Sequence, residues 1–305
     1  MVKQIGFVGS GAIGSTSAYA TLALTDVPEM VIYDIFREPA EGHAMDLSTA
    51  GVAFGRQTRI RGTDDFSELA GCDLLVVSAG FPRKPGMTRL DLLEKNLSII
   101  RDVATKAKAH CPDAIFLLVS NPVDVLLTVA QDILQFPRER VLGMSSLHDS
   151  SRLTDLLLDR GVKGAEGLIL GEHGETMFTV PSLSRGDGIE DQDWDELETA
   201  TRERAMEIIK RKGATSWAPG ACVGRMVKAI VEDTRELIPT CVLLQGEYGH
   251  EDVSFGVNAV IGRKGVLQVK EDKLSDAERA KMKTTAETIK AKIEEARGIE
   301  TPLKA

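Results

Sequence analysis

The chain is short of the residues that mark secreted, membrane-spanning or nucleic-acid-binding proteins. Four cysteines, Cys72, Cys111, Cys222 and Cys241, are spread over 305 residues, with no Cys-x-x-Cys pair and no histidine at zinc spacing. This excludes a disulfide framework and a zinc module, and no metal site is expected; the four read as buried small hydrophobes in a reducing compartment. The longest apolar runs, such as Ala114 to Val119, are far too short to span a bilayer. No Lys/Arg-rich run is present, and 37 basic against 46 acidic residues give a formal charge of -9. Such a chain is not expected to bind nucleic acid or an anionic membrane. An anionic substrate would have to be captured by a local cluster of arginines. Met1-Val2-Lys3 leads straight into an apolar strand without a signal-peptide h-region, so the expected address is the cytoplasm.

What is present is an ordinary globular composition, 43% hydrophobic and 27% charged. At this length two domains are expected. In the first half, short apolar runs alternate with helical patterns. Gln4 to Val8, Met30 to Tyr33, Leu74 to Ser78 and Ile115 to Val119 read as strands buried on both faces. Helical spacing covers the stretch up to Thr25, and Leu90 to His110. The alternation predicts βαβ units in a doubly wound parallel sheet, a Rossmann-type α/β fold. The second half changes pattern. Helices are predicted over Asp149 to Arg160, Asp193 to Lys212, Pro219 to about Glu232, and from Ser275, whose spacing to Glu278 suits a capping box, to about Ala296. Cys241 to Gln245, Val253 to Ile261 and Val266 to Val269 read as antiparallel strands. The expected division is a dinucleotide-binding domain over 1–142 and an α+β substrate domain over 143–305.

Gly9-Ser10-Gly11-Ala12-Ile13-Gly14 follows the first strand and opens the first helix. The first glycine permits a tight turn, the second lets backbone approach a pyrophosphate, and the third lets helix and strand pack closely. Phosphates would sit at the helix N-terminus. Asp34 ends the second strand 20 residues beyond Gly14, placed to accept from ribose hydroxyls and to repel a 2′-phosphate. NAD is therefore favoured over NADP, with nearby Arg37 keeping the alternative open.

Three clusters suggest chemistry. Gly171-Glu172-His173-Gly174-Glu175 places a histidine at a strand exit, suited to proton transfer near neutral pH. Asp149 and Arg152 stand at (i, i+3) on one helix, where an intrahelical ion pair is an equal reading. Arg83-Lys84-Pro85-Gly86-Met87-Thr88-Arg89 and Asn121-Pro122 follow parallel strands at the edge where α/β sheets bind ligands.

In order and spacing these motifs, with Ala79-Gly80-Phe81-Pro82 before Arg83 and Ser120-Asn121-Pro122-Val123-Asp124 after the fourth strand, resemble the lactate/malate dehydrogenase family, most nearly its archaeal-type malate branch. The resemblance implies His173 as proton donor and acceptor, oriented by Asp149. It implies Arg152 as the clamp on the substrate's C1 carboxylate, and Arg89 as the arginine polarising the reacting carbonyl. Arg83 falls at the position that reads the far end of the substrate, and Asn121 at one touching substrate and nicotinamide. Gly9 to Gly14, Asp34, Asn96, Val119, Ser120 and Asn121 fall on cofactor-contacting positions. Thr215 or Ser216 falls near the substrate pocket. Implied with them are a small dicarboxylate substrate, malate or oxaloacetate, a homodimer or homotetramer, and a step of the tricarboxylic acid cycle. A lactate dehydrogenase is the rival within the class, disfavoured because Arg83 is not the neutral residue expected for pyruvate. A non-catalytic dinucleotide-binding sensor is the rival outside it. His148 departs from the family, which usually has an aliphatic residue there. Adjacent residues on a helix point about 100° apart, so a packing or solvent-facing role is expected for it.

Overall fold

Alternating apolar runs and helices fold as their periodicity requires. The computed structural model describes residues 2–81 and 89–299, except the side chains of 89–91. The first half comprises β1 (Gln4–Val8), α1 (Ala12–Leu24), β2 (Glu29–Tyr33), α2 (Arg37–Ala53), β3 (Arg59–Thr63) and β4 (Leu74–Val77). It continues through α3 (Arg89–His110), β5 (Ile115–Leu118), α4 (Val123–Leu134) and β6 (Val141–Gly143). Strands β1, β4 and β5 are buried along nearly their whole length, as a sheet covered on both faces demands. The parallel order is β3-β2-β1-β4-β5-β6. The order reverses between β1 and β4, and the carboxyl ends there open a crevice for ligand.

The second half adds α5 (Ser146–Asp159), β7 (Ile169–Gly171), β8 (Met177–Thr179), α6 (Trp194–Lys212) and α7 (Trp217–Glu232). After them come β9 (Glu236–Gln245), β10 (Glu251–Gly262), β11 (Gly265–Val269) and α8 (Asp276–Gly298). Its antiparallel strands do not form a separate sheet. β9 joins β6 through Gly143 and Cys241, so parallel and antiparallel parts make one sheet of 11 strands. A hydrophobic core runs through both parts, and a smaller cluster around Leu153, Ile169 and Leu197 seats α5 and α6. Helices α1 and α7 touch closely: a Cβ on Gly220 would stand 2.7 Å from Thr16 Oγ1, and that hydroxyl donates to Ser216 O at 3.0 Å.

Several boundaries differ from expectation, three of them instructively. Helix α5 begins at Ser146 rather than Asp149, which moves His148 into its first turn. Helix α7 begins at Trp217, with Pro219 third; first-turn N–H groups have no intrahelical partner, so a proline is tolerated there. β9 begins at Glu236, running across Pro239 where β10 is its paired neighbour. The capping box at Ser275 and Glu278 forms as its spacing predicts. No described helix is long and apolar enough to cross a membrane.

Candidate active site

One wall of the site is made by backbone. Gly9 leaves β1 at φ +97°, where a Cβ would stand 2.8 Å from Ala79 N. A Cβ on Gly14 would meet Gly9 O at 1.9 Å, so α1 can lie this close to β1 only with glycine there. Around Gly11, by contrast, a Cβ would meet nothing within 4 Å. Helix α1 starts at Gly11 with no side-chain cap and no acid in its first turn. Its leading N–H groups thus retain the positive end of the dipole for an anion. Asp34 stands beside them, fixed by Ser10: one carboxylate oxygen accepts from Ser10 N–H at 2.7 Å and Ser10 Oγ at 2.8 Å, the other from Phe36 N–H at 3.2 Å. The open space at Gly11, the uncapped helix end and the fixed carboxylate suit a pyrophosphate and a ribose diol, so the cradle fits a dinucleotide.

The loops after β4 and β5 are tied together. Asn96, buried on α3, accepts from Phe81 N–H at 2.7 Å and donates to Asn121 O at 2.7 Å. Both ends of its amide are therefore engaged by backbone. Ser120 Oγ donates to Ala79 O at 2.7 Å. Val119 and Asn121 remain on the wall of the cleft.

The opposite wall is made by buried charge. Asp149 on α5 is fully buried, and its two oxygens are divided between two partners. One lies 2.6 Å from His173 Nδ1; the other accepts from Arg152 Nη1 at 3.1 Å. The ion pair and the histidine partnership, open alternatives in the sequence, are both present. His173 follows β7 and is held by its backbone as well, its N–H donating to Asp124 Oδ2 at 2.9 Å. The preceding Glu172 accepts from Thr176 N–H at 3.0 Å and from Lys292 Nζ of α8 at 2.5 Å, which fixes the turn.

These contacts set the titration. Burial works against the imidazolium of His173, but the charge and hydrogen bond of Asp149 outweigh it and raise the pKa. Burial works in the same way on Asp149, yet His173 and Arg152 keep its pKa below the ordinary value. Asp124 is pushed up to about 7, first by burial and then by the charge of Glu172, with His173 pulling the other way. His148 is buried rather than solvent-facing, and its ring centroid lies 5.9 Å from that of His173. Among the described residues its Nε2 has no hydrogen-bond partner. Burial and the neighbouring Arg152 charge lower its pKa to about 3, so it is neutral where His173 is basic.

Both walls face one cleft of about 630 Å³, with Ile13, Val119 and Asn121 on the nucleotide side and His148, Arg152 and His173 opposite. Thr215 also lines it; Ser216 does not, lying in the adjoining hollow behind Arg152. Arg83 lies outside the described residues, as does the side chain of Arg89. Sequence reasoning missed Asp124, although an acid opening an apolar helix is itself a signal. It also missed Met206 and Ile209 of α6, which close the cleft from a helix whose charged composition conceals its inner face.

Residues 3–143 match the family model described as lactate/malate dehydrogenase, NAD binding domain, and 159–299 match its alpha/beta C-terminal domain. A malate dehydrogenase of Archaeoglobus fulgidus is 44% identical over 96% of this chain and 99% of that protein. The structure of the Archaeoglobus fulgidus malate dehydrogenase in complex with NADH superposes with a TM-score of 0.93, covering 96% of this chain and 99% of that one. An L-lactate dehydrogenase 1 of Lactococcus lactis is 37% identical over 96% of this chain and 94% of that protein. With both family models matched in order and relatives aligned along almost its full length, the chain belongs to the lactate/malate dehydrogenase family.

Proposed function

We propose that the chain catalyses the reversible oxidation of (S)-malate to oxaloacetate with NAD. The observation that carries this reading is the shared cleft, which brings the wall beside the glycine loop against the Asp149–His173–Arg152 cluster. Bound NAD would supply the acceptor for the hydride leaving C2 and, in its reduced form, the donor for its return.

Gly9, Ser10, Gly11, Ala12, Ile13 and Gly14 would hold the pyrophosphate, and Asp34 the ribose hydroxyls. Asn96 braces the wall on which Val119, Ser120 and Asn121 meet the nicotinamide half. With Nδ1 engaged by Asp149, Nε2 of His173 is the nitrogen left for the substrate hydroxyl. In malate oxidation the hydroxyl proton passes to Nε2, and Asp149 stabilises the imidazolium. In the reverse direction His173 starts protonated and gives that proton to the carbonyl oxygen as negative charge develops there. Arg152 clamps the C1 carboxylate with its planar fork. Arg89 polarises the carbonyl, Asn121 orients it, and Arg83 pairs with the second carboxylate. In this division 1–142 serves the nucleotide and lends Arg83, Arg89 and Asn121 to the substrate, and 143–305 supplies the remaining substrate and catalytic groups, in a cytoplasmic homodimer or homotetramer working in the tricarboxylic acid cycle.

The test is nicotinamide absorbance with oxaloacetate and then pyruvate. Oxaloacetate should be turned over with far the higher kcat/KM. A preference for pyruvate would make the chain a lactate dehydrogenase. Nucleotide binding without turnover of either would make it a sensor.

A further inference from the structure

We propose that Asp64 is a second determinant of cofactor choice, because it engages Arg37 and so withholds that guanidinium from a 2′-phosphate. The inference rests on the reading of the Gly9–Gly14 edge as a dinucleotide site.

Strands β2 and β3 are parallel neighbours whose register ends at Tyr33 and Thr63. Residues 34 and 64 therefore leave the sheet side by side, and Asp34 N–H donates to Thr63 O at 3.1 Å. Arg37 opens α2 three residues later, within reach of this edge. Its Nε donates to Asp64 Oδ1 at 2.8 Å, and its Nη1 lies 3.8 Å from Glu41. Asp34 is otherwise occupied, by Ser10 and by the Phe36 N–H. The edge thus discriminates twice. Asp34 suits a neutral diol and repels a phosphate, while Asp64 directs the cation that would attract a phosphate elsewhere. Each group of the pair favours the other's charged form: hydrogen bonding to Asp64 raises the Arg37 pKa, and hydrogen bonding to Arg37 lowers that of Asp64.

Two acids that can neutralise one cation imply non-additivity. Removing Asp34 alone leaves Arg37 bound to Asp64. Removing Asp64 alone leaves Arg37 to the Asp34 carboxylate at the neighbouring strand tip, so the cation stays neutralised. Only the double change leaves Arg37 with no strand-tip carboxylate, its remaining neighbour being Glu41 one turn along α2 at 3.8 Å.

The experiment is titration calorimetry of the full chain with ADP-ribose and with 2′-phospho-ADP-ribose. The proteins are wild type, Asp34→Ser, Asp64→Ala and the double variant. Each single change should raise relative affinity for the 2′-phosphate form a few-fold. The double should exceed the product of the two by about three- to fivefold, the scale of one exposed ion pair. Adding Arg37→Ala to the double should abolish that excess. A double variant equal to the product of its singles would overturn the proposal, as would an excess that survives Arg37→Ala. Wild-type protein that bound neither ligand would overturn the dinucleotide reading itself, and this inference with it.

Discussion

On the nucleotide side of the cleft, the decisive features are positions without side chains; on the α5 side, they are charged side chains kept from water. Gly9 and Gly14 matter because a Cβ would strike the backbone, and the anion site is made of helix N–H groups. Asp149 and Arg152 matter because each is a buried charge whose partner is in the set, and partly buried His173 because its Nδ1 is held by Asp149. The first wall should be sensitive to added volume and the second to removed charge. Arg37 and Asp64 follow neither rule, being exposed charges whose proposed effect is on selectivity.

The largest effect should come from Asp149→Asn, which takes the negative charge from between Arg152 and His173. We expect oxaloacetate reduction to lose about three to four orders of magnitude in kcat, through both orientation and charge. The pH profile tests the cause. Reduction uses the imidazolium, so its rate falls as pH rises through the raised pKa of His173, while malate oxidation rises. Without Asp149 both transitions should move to lower pH; an unmoved profile would show that Asp149 does not hold that proton. If His173→Asn kept activity while His148→Asn lost it, the two histidines would have to exchange roles.

Next in size is specificity. Arg83→Gln should shift the oxaloacetate-to-pyruvate ratio of kcat/KM by about a hundredfold, because oxaloacetate carries a second carboxylate for a cation to pair with and pyruvate does not. Arg152→Gln should weaken both substrates, since both carry the C1 carboxylate. Equal loss on both substrates for Arg83→Gln would remove Arg83 from the specificity role.

On the other wall, Gly14→Ala forces a methyl group into Gly9 O and should lower the unfolding free energy by about 1–3 kcal/mol. Urea titration reads this directly, and a wild-type midpoint would mean that α1 can shift away without loss. The smallest effect has the opposite sign. His148→Leu removes a buried nitrogen that has no partner among the described residues and should stabilise the fold by about 1 kcal/mol. The gain should be greater at pH 5.5 than at 7.5. The folded imidazole has a pKa of about 3, whereas the unfolded one takes up a proton near 6.5, so acid draws wild type toward unfolding. A gain independent of pH would show that His148 is not held neutral.

The same contrast explains what could be read from the chain. Features of the first wall lie within one short stretch, so a glycine spacing and an acid at a strand tip reveal them. The second wall is assembled from α4, α5 and the turn after β7, and nothing local states that Asp124 reaches the His173 N–H. Its composition was legible through the family resemblance; its connectivity was not. In the fold, buried strands such as Leu74–Val77 are unmistakable because both faces are apolar. β3, Arg-Ile-Arg-Gly-Thr, is a partly exposed strand at the end of the sheet, and its polar composition hides it. Helix α2 is similarly obscure, since Met45 and Val52 are exposed and break its amphipathic pattern.

The join between β6 and β9 gives the molecule a thermodynamic property that its functional division does not suggest. A sheet continuous through Gly143 and Cys241, within one core, has no plane along which heat could separate a nucleotide half from a substrate half. Calorimetry of the whole chain should therefore record one cooperative melting transition. Either half expressed alone would present a raw strand edge and an uncovered core face, and should aggregate rather than fold.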